Sequence, residues 1–168
     1  MNPRKNITRL VEAFTRLKSR QNIPHKLVMV GPKNLDIYKN VAIDDNEHID
    51  HLGYLTKHQL KYVYEHADCF VYPSLYEGFG IPPLEAMACG TPVVGSSAGS
   101  LPEILGDAAQ LPNPSDVSAI GDAILRVIEN KERRQRLVQA GIERSQQFTW
   151  DQSIHDLEKV CKQAADKA

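Results

Sequence analysis

Apolar residues at Ile7, Leu10, Val11, Phe14 and Leu17 follow the i, i+3, i+4, i+7 spacing of one helix face. The pattern then changes. LVMVG, residues 27–31, is a continuous apolar run, too short for a helix, rich in valine and stopped by Gly31-Pro32. It predicts a buried strand. A second short strand is predicted over residues 49–52, ending at Gly53. Thr56 and Gln59 have capping-box spacing, and Leu60, Val63 and Ala67 continue that helix. CFVY, residues 69–72, predicts a third strand ended by Pro73, and a helix follows it. PVVG, residues 92–95, predicts a fourth strand, and a weak fifth lies near residues 108–111.

From residue 113 to 168 the pattern is mostly helical. Val117, Ile120, Ile124, Val127 and Ile128 share a face, with Asn113-Pro114 placed as cap and first position. A second helix runs over about residues 131–147. A third begins at Thr149, where Thr149 and Gln152 repeat the capping-box spacing, and carries Ile154, Leu157 and Val160. Strands alternating with helices predict an α/β fold with a parallel sheet covered on both faces. No repeat or linker divides the chain, so residues 1–168 are expected to form one domain.

Composition adds mainly exclusions. A chain of 168 residues with 42% hydrophobic and 24% charged residues is ordinary for a globular protein with a real core. A formal charge of −1 gives no electrostatic case for nucleic acid as a partner. Cys69, Cys89 and Cys161 include no CxxC pair, and two of them sit in apolar runs, which favours reduced thiols. The six histidines show no metal-ligand spacing beside an acid, so no metal site is expected. No apolar run approaches the ~18 residues of a membrane span. The start, MNPRKNITRL, lacks a signal-peptide core, so a cytoplasmic location is the default.

The chemistry is concentrated in YEGFGIPPLEAMACG, residues 76–90. In a parallel α/β sheet, ligands bind beyond the carboxyl ends of the strands, where this stretch follows CFVY. Gly78-Phe79-Gly80 makes a turn that a ligand can approach closely. Pro82 and Pro83 suit the first turn of the next helix, and Gly90 suits its end. A helix start favours an anion, which raises the question of why Glu77 and Glu85 stand there. Carboxylates only accept hydrogen bonds, whereas sugar hydroxyls donate them. An arrangement that satisfies every group sets backbone N–H on phosphate and carboxylates on hydroxyls. Glu85, expected in the first helical turn, would span a vicinal diol such as ribose, and Glu77 would meet hydroxyls beyond the phosphates. The implied ligand has a sugar at each end of a diphosphate.

Each acid alone has a plain structural explanation: a helix-start glutamate is favourable without a ligand, and a loop glutamate is usually solvated. A lone Gly-x-Gly is weak as a nucleotide signal. The combination is stronger. PSLYEGFGIPPLEAMACGTPVVGS closely resembles the donor-binding signature of retaining glycosyltransferases of family 4, a glutamate, seven residues and a second glutamate. The resemblance runs from RKNITRLVEAF to QQFTWDQS. It implies a GT-B fold of two Rossmann-like domains, of which this chain would be the C-terminal, donor-binding half. It further implies transfer of a hexosyl group from a nucleotide-diphosphate sugar with retention, usually without a metal or other cofactor. By the resemblance, Glu85 would bind ribose, and Glu77 would sit by the donor sugar and leaving phosphate. The backbone of Gly78, Phe79, Gly80 and Ile81 would face sugar and phosphates. Lys5, in RKN, would neutralise the diphosphate, whose negative charge grows as the glycosidic bond breaks. Tyr54 and Leu55, after Gly53, would hold the base. SLPEILGDAA resembles mannosyltransferases of the family, implying GDP-mannose as donor, with UDP-sugars left open.

Several features depart from the family pattern. The acceptor-binding N-terminal domain, and the strand that normally precedes RKN, are not recognisable in these 168 residues. A first strand is therefore expected to be missing, leaving a gap flanked by the strands ending at Gly31 and Gly95. Those strands would close up and pair, or a strand from another chain would fill the gap. Two functions remain: a transferase half that is inactive without an N-terminal acceptor domain or partner chain, or a non-catalytic nucleotide-sugar-binding module. Ser96, Ser97 and Ser100 are read as turn formers. Lys131, Arg133, Arg134, Arg136 and Arg144 allow peripheral contact with anionic lipid, but the interspersed Glu129, Glu132 and Glu143 favour a solvated face.

Overall fold

The computed structural model describes residues 3–31 and 47–165. Pro32, half of the stop signal after the first predicted strand, lies outside the described residues. After a 3-10 turn at Pro3–Lys5 come α1 (Ile7–Arg20), β1 (Leu27–Val30), β2 (Ile49–Gly53), α2 (Lys57–His66) and β3 (Phe70–Val71). Then follow α3 (Ile81–Ala88), β4 (Val93–Val94), α4 (Leu101–Leu105), β5 (Ala109–Gln110), α5 (Val117–Glu129), α6 (Lys131–Ser145) and α7 (Trp150–Ala165). All strand pairs are parallel.

Each element follows from its sequence. Thr56 and Gln59 complete a reciprocal capping box at the start of α2. The first two N–H groups that can be capped in α5 go to the Asp116 carboxylate, so Asp116 and not Asn113-Pro114 is its cap. Asn113 instead closes a local turn by accepting from the Ser115 N–H. At α7 only half of the predicted box forms: Thr149 accepts from the Gln152 N–H, while the Gln152 side chain turns to Asp156. The short α4, with Pro102 in its first turn, was not foreseen.

The described strands form two sheets, β1-β2 and β3-β4-β5. Both faces of the second are covered. Successive strand residues point to opposite sides, and Val93 packs with Tyr64, Leu84, Met87 and Leu101, while Val94 packs with Ala123, Val127 and Leu137. Helices α2, α3 and α4 thus cover one side, and α5 with α6 the other. The first sheet packs through Leu27, Met29 and Ile49 against α1 and α5, and Val71 of β3 borders that cluster.

The expectation about the gap needs correcting. β4 is paired on both sides, by β3 and β5, so the strand ending near Gly95 does not border a gap. Among the described residues β3, not β4, is the edge strand of its sheet, so the edges that would flank the gap are those of β1 and β3. They do not close up into a ladder, because the two sheets meet through side chains around α1 and α5. The apolar face of α7 is uncovered. Ile154, Leu157 and Val160 share a face as predicted, but with Trp150 they are more than half exposed, and no α7 residue is buried.

Candidate functional site

Lys5 is brought to the loop after β3 by its neighbours. Asn6 starts α1 in the left-handed region, φ 59°, and is 5% exposed. Its Nδ2 donates to the carbonyls of Pro73 at 2.9 Å and Pro114 at 2.7 Å. The Leu75 N–H donates to the Arg4 carbonyl at 2.7 Å. These bonds fasten the start of α1 to the chain leaving β3. Lys5 Nζ then donates to Glu77 Oε1 at 2.8 Å and to the Tyr72 hydroxyl. Two residues 72 positions apart, both singled out in the sequence, are in direct contact.

The electrostatics agree with an ionised pair. Burial pushes the Glu77 carboxyl up, but the Lys5 ammonium 2.8 Å away outweighs it and holds it below the ordinary range. Burial likewise pulls Lys5 down, and Glu77 and Tyr72 more than restore it, leaving the ammonium above its usual value. Lys5 has three N–H donors, and among the described residues two of them are used here.

The turn beyond Glu77 is braced from below. The Ser100 hydroxyl bonds the Glu77 carbonyl at 3.0 Å and the Phe79 carbonyl at 2.8 Å. Gly99, φ +61°, lies so close that a Cβ there would stand 2.9 Å from the Glu77 nitrogen. Gly80 adopts φ +125°, and a Cβ would meet Leu101 at 2.7 Å. Both glycines are needed, one for close approach under the acid and one for the sharp entry into α3. Among the described residues, the N–H groups of Gly78, Phe79, Gly80 and Ile81 donate to no backbone carbonyl. Gly78, Phe79 and Ile81 are exposed. Ser96, Ser97 and Ser100 make local or bracing bonds, as turn formers do.

Glu85 lies in the second turn of α3, not the first, because the helix begins at Ile81 with both prolines inside it. That weakens the helix-dipole explanation for an acid here, since the effect fades within the first turn. Its carboxylate is exposed and accepts from the Tyr64 hydroxyl at 3.4 Å. Tyr54, 81% exposed, and half-buried Leu55 follow the carboxyl end of β2, before α2. The structure thus joins Lys5 to Glu77 beside the glycine turn, and carries Glu85 on the helix that follows. Among the described residues, no hydrogen bond or ion pair joins Tyr54 or Leu55 to Lys5, Glu77 or Glu85.

Asn6, Tyr64 and Tyr72 are supporting residues that sequence reasoning passed over or read as strand and helix packing, while Ser100, read as a turn former, also braces the glycine turn. Three of the five basic residues on α6 are used internally: Arg133 bonds Gln110, Arg134 pairs with Asp68, and Arg144 bonds the carbonyls of Glu103 and Ile104. The three cysteines are free, and no group of metal-ligating side chains occurs among the described residues. No helix among them is long and apolar enough to cross a membrane.

Parallel strands, covering helices and a glycine turn at the carboxyl edge define an α/β unit of the kind that forms the C-terminal half of GT-B glycosyltransferases. Comparison with known proteins makes this specific. Residues 1–144 match the family described as "Glycosyl transferases group 1", and the chain belongs to it. It is 39% identical over 155 residues to O-antigen chain mannosyltransferase B of Escherichia coli, covering 90% of this chain and 41% of that protein. It is 34% identical over 155 residues to MMP alpha-(1->4)-mannosyltransferase of Mycolicibacterium hassiacum, covering 88% of this chain and 37% of that one. Among solved structures, sucrose-phosphate synthase of Thermosynechococcus elongatus superimposes with a TM-score of 0.80 at 27% identity, over 99% of this chain and 44% of that one. The chain therefore spans less than half the length of these relatives.

Proposed function

We propose that this chain is the single donor-binding domain of a retaining hexosyltransferase, holding a nucleotide-diphosphate sugar that is attacked by an acceptor bound elsewhere. The observation that carries the reading is the Lys5–Glu77 contact at the carboxyl edge of β3, beside a glycine turn with unpaired N–H groups. The third N–H of Lys5 and the N–H groups of Gly78, Phe79, Gly80 and Ile81 converge in role on one anion, the diphosphate. As the bond to the sugar breaks, negative charge gathers on the leaving phosphate, and fixed donors stabilise it without reorganising. Glu77 keeps its unused lone pairs for hydroxyls of the donor sugar, Glu85 takes the ribose diol, and Tyr54 and Leu55 flank the base. The mannosyltransferase relatives support mannose as the transferred sugar, for which we take GDP-mannose as donor with UDP-sugars as the alternative. Transfer requires an acceptor-binding domain or partner chain, and without one the domain binds and does not transfer.

Calorimetry with GDP, UDP and their sugar conjugates tests the assignment. A carboxylate that accepts from a diol makes charge-assisted bonds, each worth roughly 1.5–3 kcal/mol. Glu85→Gln is expected to weaken every nucleoside diphosphate by tenfold or more. Glu77→Gln is expected to spare free GDP and weaken mainly the sugar conjugate. Unchanged binding in both variants would remove the ribose and sugar assignments together.

A further inference from the structure

The two candidate subsites share one support. Tyr64 is the only buried residue of α2. Its ring meets Phe70 edge-on with centroids 5.3 Å apart, and Phe70 stacks on Tyr72 at 5.8 Å. The three rings form a row from α2 along β3 to its carboxyl end. At each end of the row a phenol hydroxyl reaches a candidate binding group: Tyr64 reaches Glu85 Oε2, and Tyr72 reaches Lys5 Nζ. Packing alone does not account for the two hydroxyls. Phenylalanine fills an apolar row as well, and a partly buried hydroxyl costs free energy unless it is bonded.

The row is also anchored. The Tyr64 carbonyl accepts from the buried Thr91 hydroxyl at 2.5 Å, fixing the end of α2 to the link between α3 and β4. Glu85 by contrast is an exposed side chain on a helix surface, free to sample rotamers unless something holds it. Lys5, on a flexible four-carbon stem, has the same need.

We propose that the Tyr64–Phe70–Tyr72 row is a positioning element of the donor site, Tyr64 aiming the Glu85 carboxylate at the nucleoside diol and Tyr72 aiming the Lys5 ammonium at the diphosphate. This rests on the donor-site reading of Glu85 and Lys5. It makes the two hydroxyls separable by ligand. The Tyr64 hydroxyl acts on any ligand that carries the diol, with or without phosphate. The Tyr72 hydroxyl acts only where phosphate is present.

The test is calorimetry on the full chain with GDP, guanosine, UDP and uridine, using Tyr64→Phe and Tyr72→Phe, which keep the rings and remove only the hydroxyls. Tyr64→Phe is expected to weaken the bound nucleoside and its diphosphate by the same factor, about three- to tenfold, the range for one net hydrogen bond. Tyr72→Phe is expected to weaken the diphosphate by a similar factor and leave the nucleoside within about twofold. A merely structural loss would move all ligands together in both variants, and that result overturns the proposal. So does the expected pattern in one variant alone, since the row would then not be shared. Glu85→Gln and Lys5→Ala are measured alongside. If they weaken binding while the phenylalanine variants match the parent, the positioning row is refuted and the donor site stands. If they too match the parent, or the parent binds none of the four ligands, the donor-site reading falls and takes the row with it.

Discussion

Asn6 offers the sharpest test of how the site is held. Three variants separate its contributions. Asn6→Gly keeps the left-handed backbone and removes the side chain's bonds to the Pro73 and Pro114 carbonyls. Both prolines are buried, so each carbonyl loses its donor away from bulk water. An orphaned buried acceptor costs ~1–3 kcal/mol, and for two the lower part of the range applies if water partly enters, giving about 2–4 kcal/mol. Asn6→Ala loses the same bonds and must also hold a Cβ in the left-handed region, a further ~1–2 kcal/mol. Glycine's greater freedom in the unfolded chain offsets about 0.5–1 kcal/mol of that difference. Asn6→Asp keeps the shape and tolerates the backbone, but sets carboxylate oxygens against two carbonyl oxygens. It is expected to cost at least as much as glycine.

The assay is urea unfolding followed by circular dichroism. With a slope of about 2 kcal/mol per molar urea, the middle of the usual range, the glycine variant should shift the midpoint by roughly 1–2 M at unchanged slope. The order of the variants carries the reasoning. Alanine more stable than glycine by the full offset of about 0.5–1 kcal/mol would mean that the left-handed backbone stores no strain. Aspartate near the parent, or all three within about 1 kcal/mol of it, would mean that the two carbonyl bonds do not hold the start of α1 in place.

Two further outcomes are expected. Gly99→Ala, with its Cβ against the Glu77 backbone and its φ positive, should lower affinity for a sugar nucleotide more than for the free nucleoside, as binding of both will show. The Lys5–Glu77 pair should make stability depend on pH at both ends: Glu77 is held below its ordinary 4.5, so its contribution is full above that value and is lost as pH falls through the folded value. Lys5 is held above its ordinary 10.5, so its contribution is full below that value and is lost as pH rises further. Unfolding of the parent against Glu77→Gln across pH should show a constant difference between these limits and a shrinking one as pH falls below 4.5; a difference that stays constant as the pH is lowered from 4.5 until the parent unfolds would refute the pairing.

Much of the fold was legible because its signals are local. Apolar runs closed by Gly31, Gly53, Pro73 and Gly95 marked β1 to β4, and the Thr56–Gln59 box marked α2. Where two local signals competed, the choice went wrong. Asn113-Pro114 and Asp116 both suit a helix start, and only the tertiary path selects Asp116. Periodicity predicted the apolar face of α7 correctly but says nothing about what lies against a face. The site divides in the same way. The glycine turn and its two acids are contiguous and could be read directly. Tyr72 and Tyr64 could not, because a strand aromatic and a helix aromatic look like core until the fold brings their hydroxyls to Lys5 and Glu85.

Lys5 was the hardest residue to place from sequence, and the sheet explains why it arrives where it does. In β3 the N–H groups of Phe70 and Tyr72 bond Pro92 and Val94 across to β4. By alternation, Val71 and the odd-numbered residues after it face the other, unpaired edge. The next two of these are not left open. The Pro73 carbonyl accepts from Asn6, and the Leu75 N–H donates to the Arg4 carbonyl. The segment from Pro3 to Asn6 therefore lies along the continuation of the very edge that β3 leaves unpaired, and it satisfies backbone groups there as a neighbouring strand would. Lys5 sits between the two anchoring residues, so its side chain reaches over the end of β3 to Tyr72 and Glu77. The position of β3 at a sheet edge, which a sequence reading assigned to β4, is thus what allows a residue from the start of the chain to complete a site built on residues 72 to 85.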